Sequence, residues 1–406
     1  MNIFQGKRVV LGVTGSIAAY KSVTLSSRLT QKGALVDVIL TDAAAKLVNA
    51  ITFESVTGRR AYREKDLWEG GEHVLHIELG EENDVFMVAP ATANTIAKMA
   101  QGIADNLLTV CALASRTPLL VSPAMDGGMY ANPATQENLR ILEQRGMRIL
   151  GPAEGHLASG LAGKGRMLEP MELLGHLRLA LAREGPLSGK KFVVTAGGTQ
   201  EPIDPVRVIT NRSSGKQGYA LARAALDLGA DVDLISGPSA LEVPVGANVH
   251  DVSTAEEMER AVLNLLPEAD VLIMAAAVAD YQPAKRVSSK IKKEEHDMLQ
   301  ISLKPTPDIL HAVAEHKSRS GAPEISVGFA AETDHLKENA EDKLTAKNLD
   351  LIAANDVSEP DAGFDVDTNR VLLLWKDGRL EELPLMKKSE VAFRIMDAVI
   401  ELLEAS

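Results

Sequence analysis

Short apolar runs alternate with stretches of helical period along the whole chain. In the first half the apolar runs are VVLGV, LVDVILT, VFMVAP and PLLVSP, and a helical segment, IAAYKSVTLSSRLTQKG, follows Ser16. Runs of this length are typical of buried strands, and their alternation with helices predicts a parallel sheet. This half therefore has the pattern of a doubly wound α/β fold, in which ligand loops follow the strands.

The second half repeats the alternation. A strand at 192–194 ends in Gly197-Gly198-Thr199, and further strands are predicted for VDLIS, VLIMAAAV, ISVGFAA, LIAAND and RVLLLW. A final amphipathic helix, SEVAFRIMDAVIELLEA, is expected to pack on this sheet. The chain is thus interpreted as two doubly wound, Rossmann-like domains.

The boundary between the two domains is predicted from a helix that stops near Gly185-Pro186. The segment 183–190 then serves as the linker. The predicted domains are residues 1–188 and residues 189–406.

Composition and charge exclude several classes of partner. The net charge of −13 argues against nucleic-acid binding, which needs a basic surface. No apolar run approaches the length of a membrane span, and the first one is too short for a signal peptide. A single cysteine, Cys111, excludes an internal disulfide and sits in an apolar stretch typical of a core. These features favour a cytoplasmic enzyme with no membrane partner.

One stretch of the second half has the features of an anion site. It runs from the glycine turn 197–199 to Ser213-Ser214-Gly215-Lys216, which directly precedes a helix. Free backbone N–H groups at such a place, together with the helix dipole, attract phosphates. The stretch is neither a P-loop nor a G-x-G-x-x-G fingerprint, and the lack of that fingerprint disfavours an NAD-type dehydrogenase.

The same stretch, TAGGTQEPIDPVRVITNRSSGKQGYALA, resembles the phosphopantothenate–cysteine ligases, of the kind that forms an acyl-cytidylate. Five further segments agree with that family in the same order: AAAVADYQP (275–283), KIKK (290–293), PTPDIL (305–310), VGFAAET (327–333) and KLTAKNLDLIAANDV (343–357). The resemblance covers most of residues 190–375. It implies CTP as the activating nucleotide, with Mg²⁺ accompanying the triphosphate.

The ligase resemblance also implies roles for particular residues. Asn211 corresponds to the asparagine that holds the activated acyl intermediate, and Lys290 to the lysine that stabilises the transition state from a flap. On the residues alone, Lys290 belongs to a basic cluster, which is more often a solvated surface than a site. The cluster consists of Lys285, Arg286, Lys290, Lys292 and Lys293. Asp280 is the candidate metal contact. The implied CTP-contacting residues are Met274, Ala275, Ala276, Asp280, Lys290, Pro307, Asp308, Ile309, Leu310, Phe329, Lys343 and Lys347.

The first half has a weaker phosphate signal, in which Gly15 and Ser16 precede a helix. Two further segments, HIELGEENDVFMVAPATANTIAKMAQGIADNLLT (76–109) and PAMDGGMY (123–130), accompany it. Together they resemble the flavin-dependent cysteine decarboxylases, specifically those that act on phosphopantothenoylcysteine. The resemblance implies FMN as the cofactor. The implied FMN-contacting residues are Gly15, Ser16, Thr41, Thr92, Ala93 and Asn94.

Three candidate catalytic residues follow from the decarboxylase resemblance. His76 matches the catalytic histidine. The residues alone also allow a capping or core histidine, or a metal pair with His73, although that pair lacks an obvious third ligand nearby. Asp126 stands where most relatives have an asparagine that contacts the substrate carboxylate. An ionised aspartate would repel that carboxylate, so Asp126 must be protonated, reoriented or screened. Ser159 stands where most relatives have the proton-donating cysteine, and a hydroxyl is a far weaker acid than a thiol.

The two resemblances together predict a bifunctional enzyme of coenzyme A biosynthesis. The second domain would ligate cysteine to 4′-phosphopantothenate with CTP, and the first would decarboxylate the product with FMN. An alternative, motivated by Asp126 and Ser159, is an active ligase whose first domain is only a flavin-binding scaffold for oligomerisation. The resemblance implies a homo-oligomer, with trimers of the first domain linked by dimers of the second.

Overall fold

A computed structural model describes residues 2–68, 75–156, 160, 162–292, 299–332, 334–356 and 366–405. The chain divides into two compact units, the N-terminal unit Asn2–Leu181 and the C-terminal unit Ala182–Ser406. Across the described ranges, no helix has both the length and the apolarity that crossing a bilayer requires. The predicted linker forms turns, and Leu187 N donates to Leu228 O at 2.9 Å, within the C-terminal unit.

The N-terminal unit is built on one parallel sheet. Its strands are β1 (Arg8–Val13), β2 (Leu35–Leu40), β3 (Ala61–Arg63), β4 (Val85–Ala91), β5 (Leu119–Pro123) and β6 (Arg148–Ile149). Their order is β3-β2-β1-β4-β5-β6, and every pairing is parallel. An antiparallel hairpin of β7 (Ala153–His156) and β8 (Ala162–Arg166) follows.

Helices cover both faces of this sheet. They are α1 (Ala19–Gln31), α2 (Asp42–Ala45), α3 (Ala50–Thr57), a 3₁₀ turn (Glu64–Leu67), α4 (Leu75–Glu81), α5 (Ala93–Gln101), α6 (Leu107–Ala114), α7 (Gly127–Ala131), α8 (Pro133–Gln144) and α9 (Pro170–Ala182). Alternate β1 side chains enter different cores: Val9 and Leu11 lie in one cluster and Val10 in another.

Two expectations for the N-terminal unit have clear outcomes. The helix predicted from Ser16 begins only at Ala19, because Ser16 N first donates to Thr14 O at 2.8 Å and the chain turns. The predicted start at Ile17 was therefore wrong by two residues. Cys111 is buried in a core cluster as predicted, and burial raises the pKa of its thiol to about 12.

The C-terminal unit has a larger sheet and three small ribbons. Its strands are β9 (Lys191–Ala196), β10 (Gln200–Pro202), β11 (Val208–Thr210), β12 (Asp231–Ser236), β13 (Asn248–Asp251), β14 (Val271–Met274), β15 (Tyr281–Pro283), β16 (Leu303–Pro305), β17 (Ile325–Glu332), β18 (Leu351–Asp356), β19 (Thr368–Asn369), β20 (Leu372–Trp375), β21 (Leu380–Glu382) and β22 (Met386–Lys387). The large sheet has the order β13-β12-β9-β14-β17-β18-β20-β21, and β10–β11, β15–β16 and β19–β22 are antiparallel ribbons.

The helices of the C-terminal unit also lie on two faces. They are α10 (Lys216–Asp227), α11 (Ala255–Leu265), a 3₁₀ turn (Leu266–Glu268), α12 (Ile309–Ser320), α13 (Leu336–Ala346) and α14 (Lys388–Ala405). α10 and α14 pack together on one face, where Gly218 of α10 lies against Ala196 of β9. α11, α12 and α13 cover the opposite face.

Both units share one strand order. The first six strands of each sheet are parallel and run 3-2-1-4-5-6 when numbered along the chain, which is the order of a Rossmann fold. The direction of winding reverses between β1 and β4 in one unit and between β9 and β14 in the other. The prediction of two doubly wound domains is therefore confirmed. In such sheets, ligands bind beyond the carboxyl ends of the strands at this reversal.

Candidate functional sites

The crevice of the N-terminal unit lies where the loops after β1 and β4 meet. The buried Thr14 hydroxyl donates to Pro90 O at 2.7 Å and accepts the Thr92 N–H at 3.0 Å. This pair of bonds holds the Gly15-Ser16 loop beside the loop that carries Thr92. Thr14 was not predicted, although its place between a strand and a glycine turn was a usable signal.

The predicted FMN residues occupy three neighbouring strand ends. Thr41 follows β2, and its N–H donates to Val13 O at 3.1 Å while its hydroxyl caps α2. Thr92 caps α5, in which Ala93 is the first residue and Asn94 is exposed. A Cβ at Gly15 would lie 2.5 Å from the Ala43 Cβ, so glycine lets this loop pass close to α2.

A cavity of about 300 Å³ lies on one side of the β1 loop. It brings Ser16 close to Asp126, whose carboxylate accepts the Gly128 N–H at 2.9 Å and caps α7. Among the described residues, Thr41, Thr92 and His76 do not line this cavity. Ser159 lies outside the described residues. The cavity is lined by Ser16, Ile17, Ala18, Tyr20, Lys21, Ala124, Met125, Asp126, His156, Gly165, Arg166 and Met167.

His76 is half-buried in the first turn of α4. Two residues further on, Glu78 accepts from Arg8 at 2.9 Å, and Arg8 also donates to the buried Asp37 at 2.7 Å. Burial by itself lowers the pKa of Arg8, but the bonds to Asp37 and Glu78 outweigh it and raise that pKa. A charged network therefore ties the helix of His76 to the sheet.

The crevice of the C-terminal unit is joined by bonds across its reversal point. After β14, Ala276 N donates to the Thr195 hydroxyl at 3.1 Å, and Ala277 N donates to Gly197 O at 2.8 Å. The predicted strand VLIMAAAV therefore ends at Met274, because the chain bends to bond with the glycine turn. That strand was predicted four residues too long.

Asn211 lies over this same loop. Its side-chain amide donates to Val278 O at 2.9 Å, which fixes the amide at the crevice. The predicted glycine turn is required here, since Gly197 has a φ of 79° and packs on Gly237. Asn211 and the turn are thus brought together as the anion-site prediction expected.

A cavity of about 710 Å³ at this crevice collects most of the predicted nucleotide residues. Four lysines and two aspartates are among its described lining residues, which favours an anionic ligand although the chain is acidic. The predicted residues that line it are Asn211, Met274, Ala275, Ala276, Asp280, Pro307, Asp308, Ile309, Leu310, Phe329, Lys343 and Lys347.

Lys343 of α13 and Lys347, which caps the end of that helix, line this cavity. Lys343 Nζ donates to Phe329 O at 2.7 Å, and Lys347 forms an ion pair with Asp308, which caps α12. Partial burial alone raises the pKa of Asp308, but the hydrogen bond from Lys347 and the cap N–H lower it overall. Asp308 therefore stays ionised and holds Lys347 at the cavity wall.

Lys290 is exposed and does not line the cavity in the described part of the chain. The next residue is anchored, because Ile291 N donates to the buried Asp204 carboxylate at 3.2 Å and Ile291 O accepts from Arg207 at 3.2 Å. Lys293, the last lysine of the KIKK motif, lies outside the described residues. The structure thus shows an anchored base for this segment.

The lining of this cavity also bears on metal binding and includes residues that the sequence did not predict. Within the described ranges, no group of three His, Cys, Asp or Glu side chains is placed to hold a metal ion, so Asp280 has no such partners there. Lys216, Asn369 and Lys388 line the cavity but were not predicted as ligand contacts. Lys216 stood in the SSGK motif, whereas Lys388 at a helix start gave no distinguishing signal.

Comparison with known proteins gives two family matches. Residues 4–178 match the flavoprotein family, and residues 187–403 match the family described as the DNA/pantothenate metabolism flavoprotein C-terminal domain. The second match spans more than half of the chain.

Full-length relatives agree with these matches. The coenzyme A biosynthesis bifunctional protein CoaBC of Bacillus subtilis is 44% identical over 403 residues, covering 98% of this chain and 98% of the relative. Its counterpart from Vibrio cholerae is 45% identical and covers 99% of this chain and 100% of its own. A crystal structure of a CoaBC C-terminal domain is 41% identical, with a TM-score of 0.47, and covers 55% of this chain and 100% of that one.

Fold, crevices and matches together define a two-unit protein that joins a flavoprotein domain to a pantothenate-metabolism domain. The chain belongs to the family of bifunctional coenzyme A biosynthesis proteins. The resemblances seen in the sequence are therefore confirmed at the level of the family.

Proposed function

We propose that residues 189–406 ligate cysteine to 4′-phosphopantothenate with CTP, and that residues 1–188 decarboxylate the product to 4′-phosphopantetheine with FMN. The observation that carries the ligase proposal is the cavity beyond β14 and β17. It gathers Asn211, Phe329 and the lysines at the end of α13, Lys343 and Lys347, from segments far apart in the sequence. Such convergence of polar groups at a reversal point is typical of a nucleotide site.

In the ligase reaction, the carboxylate of the acid attacks the α-phosphorus of CTP and pyrophosphate leaves. The amine of cysteine then attacks the acyl carbon of the acyl-cytidylate, loses its proton and displaces CMP. Lys343 and Lys347 supply positive charge at the nucleotide. Mg²⁺, with Asp280 as its candidate protein contact, would neutralise further negative charge of the triphosphate. Asn211, fixed by Val278 O, is positioned to hold the acyl-cytidylate. Lys290 would approach from its segment to stabilise charge as the acyl–phosphate bond forms.

In the decarboxylase unit, the loops after β1, β2 and β4 fit a flavin phosphate, because they converge at one sheet edge, carry the hydroxyls of Ser16, Thr41 and Thr92, and have no side chain at Gly15. Gly15, Ser16, Thr41, Thr92, Ala93 and Asn94 would hold FMN. The flavin, when bound, accepts two electrons and returns them, so the net reaction is redox-neutral. His76 handles the proton at the reacting centre.

Asp126 and Ser159 are the family departures that bear on this unit. The Asp126 carboxylate accepts from Gly128 N at a helix N-terminus, which supports the interpretation that it is reoriented away from a substrate carboxylate. One measurement distinguishes the bifunctional enzyme from the alternative, an active ligase whose first domain is only a flavin-binding scaffold. Incubation with phosphopantothenate, cysteine and CTP, followed by mass analysis, gives 4′-phosphopantetheine only if both units are active.

We also propose a cytoplasmic homo-oligomer, with N-terminal units in trimers and C-terminal units in dimers. This assembly is what the resemblance of the two units to their families implies. Light scattering tests this assembly by measuring the mass of the complex. Only a complex whose number of chains is a multiple of six is consistent with it.

Ser16→Asp is expected to yield protein without bound flavin. The new carboxylate would lie where three loops converge on the FMN phosphate and would repel it. Absorbance near the flavin band, measured on the purified protein, checks the result. Thr24→Asp places the same charge on the exposed side of α1 and should retain flavin. Full flavin content in Ser16→Asp protein contradicts the site.

Ser159→Cys is expected to increase the share of fully reduced 4′-phosphopantetheine among the decarboxylated products. A thiol donates a proton more readily than a hydroxyl, and CO₂ release precedes that protonation. Mass spectrometry distinguishes the product from a species lighter by two hydrogens. Ser159→Ala should leave the ratio of the two products as in wild type. A loss of the reduced product in Ser159→Ala would show that the serine itself relays the proton.

A further inference from the structure

The turn that joins β10 to β11 is organised by one carboxylate. The side chain of Asp204 is fully buried, and its Oδ1 atom accepts from Val206 N and Arg207 N, both at 2.8 Å. Ile203 N closes the turn by donating to Arg207 O at 2.9 Å. Burying a carboxylate is unfavourable unless hydrogen bonds and a counter-charge satisfy it. These partners therefore define the position of Asp204 closely.

The other carboxylate oxygen binds a segment 87 positions further along the chain. Asp204 Oδ2 accepts from Arg207 Nη1 at 2.8 Å and from Ile291 N at 3.2 Å. Arg207 Nη1 in turn donates to Ile291 O at 3.2 Å. Burial by itself raises the pKa of Asp204, but hydrogen bonds from backbone N–H groups, that of Ile291 among them, and the charge of Arg207 lower it overall. An ionised pair thus holds both the N–H and the C=O of Ile291.

The same turn holds this segment at a second point. Val287 N donates to Ile203 O at 3.0 Å. Val287 and Ile291 are half-buried, whereas the three residues between them, Lys290 included, are exposed. Lys290 therefore lies in a short exposed loop whose two ends are bound to one turn.

The ribbon that carries this turn also carries Asn211. β10 and β11 are paired along their whole length, and Asn211 directly follows β11. The Asn211 amide is fixed on Val278 O at 2.9 Å. One hydrogen-bonded ribbon thus connects the loop of Lys290 to the residue proposed to hold the acyl-cytidylate.

We propose that Asp204 is a positioning residue of the ligase, which sets the place of Lys290 relative to Asn211 by holding Ile291. The inference rests on the proposed ligase function and deepens it. A loop with both ends bound has less conformational freedom to lose when its lysine meets the reactants. Placement matters because an error of about 1 Å at a reacting centre can reduce a rate about a hundredfold.

Asp204→Asn tests this anchor in the full-length protein, because asparagine has the same shape but offers an NH2 group in place of one oxygen. With its remaining oxygen bound to the N–H groups of the turn, the amide NH2 faces Ile291 N, and that bond is lost. Turnover in cysteine ligation should fall roughly tenfold to a hundredfold. The KM of CTP should change much less, because the described turn does not line the cavity. CMP formation over a range of CTP concentrations gives both values.

The double variant with Lys290→Ala separates positioning from general damage to the fold. If Asp204 acts through Lys290, Asp204→Asn should reduce turnover in the otherwise wild-type protein and have no further effect in Lys290→Ala. Equal reductions in the two backgrounds, or wild-type turnover in folded Asp204→Asn, overturn the inference alone. An unchanged rate in Lys290→Ala refutes the role proposed for Lys290, and the inference with it.

Glu201→Gln is the matched control, since Glu201 is a buried carboxylate of the same ribbon. It accepts from Ala255 N at 2.8 Å, at the start of α11, and glutamine keeps an oxygen for that bond. Turnover should stay at the wild-type value. A loss of turnover equal to that of Asp204→Asn would show that the ribbon tolerates no such change, and would count against a specific role for Asp204.

Val287→Pro is the second variant, in case Asp204→Asn does not fold. Proline lacks the N–H that donates to Ile203 O, so the loop is released at its other end while the buried carboxylate stays intact. Turnover should again fall, and only where Lys290 is present. Wild-type turnover in Val287→Pro would overturn the inference.

Discussion

His76→Ala is expected to abolish CO₂ release from 4′-phosphopantothenoylcysteine while cysteine ligation continues at the wild-type rate. Loss of a proton-transferring side chain typically reduces a rate by about a hundredfold to ten-thousandfold. The ligase cavity belongs to a different compact unit with its own sheet, so its chemistry does not need this imidazole. Trapping of labelled CO₂, measured beside CMP formation on one preparation, gives both rates.

The CMP measurement in the same tube is the control for folding, and flavin absorbance is the control for cofactor binding. A His76→Ala protein that retains flavin and ligation but releases no CO₂ has lost a catalytic group. If ligation disappears as well from a well-folded protein, the separation of the two activities between the units is wrong. CO₂ release at the wild-type rate would instead assign His76 to the core.

Lys290→Ala is expected to reduce ligation by roughly a hundredfold or more, the scale for removing one preorganised charge at a transition state. Lys290 is exposed and outside the cavity, while the following residue is tied to Asp204. We therefore expect the lysine to act only when its segment approaches bound reactants. Affinity for CTP should change much less than turnover. Rapid-quench measurement of CMP formation, with CTP binding measured separately, checks both.

Lys285→Ala is the matched control for Lys290→Ala, because both lysines are exposed and belong to the same basic cluster. If the two variants behave alike, the cluster is a solvated charged surface and the role implied by the resemblance is wrong. Lys290→Arg tests charge against geometry, since arginine keeps the positive charge but presents a planar group.

The sequence by itself determined the fold class, because buried parallel strands are nearly continuous apolar runs. Val9–Val13 and Phe192–Ala196 are such runs, and both became first strands of sheets with the same order. It also placed the loops that carry function, since ligand loops must follow the carboxyl ends of these strands. The residues of 275–280 and 307–310 were implied by the family resemblance, and the structure brings them together at one cavity.

The sequence was less reliable where the chain leaves a strand. The turn after Ser16 depends on Thr14, which accepts the Ser16 N–H and whose hydroxyl donates to the distant Pro90. The bend after Met274 depends on the bond from Ala277 to the distant Gly197. Apolar periodicity records which residues are buried and contains no information about such partners. The predicted roles of His76, Ser159 and Lys290 stay predictions.

Only the tertiary structure showed that Lys388 lines the cavity of the C-terminal unit. Lys388 begins the last helix in a Lys-Lys-Ser-Glu sequence, which is typical of an exposed helix start, and its neighbour Lys387 is indeed exposed. The structure buries Lys388 because the β19–β22 ribbon and α10 close around it, 172 positions after Lys216 in the chain. Burial depends on the neighbours that pack around a residue, so two adjacent lysines with the same local sequence differ in their exposure to solvent.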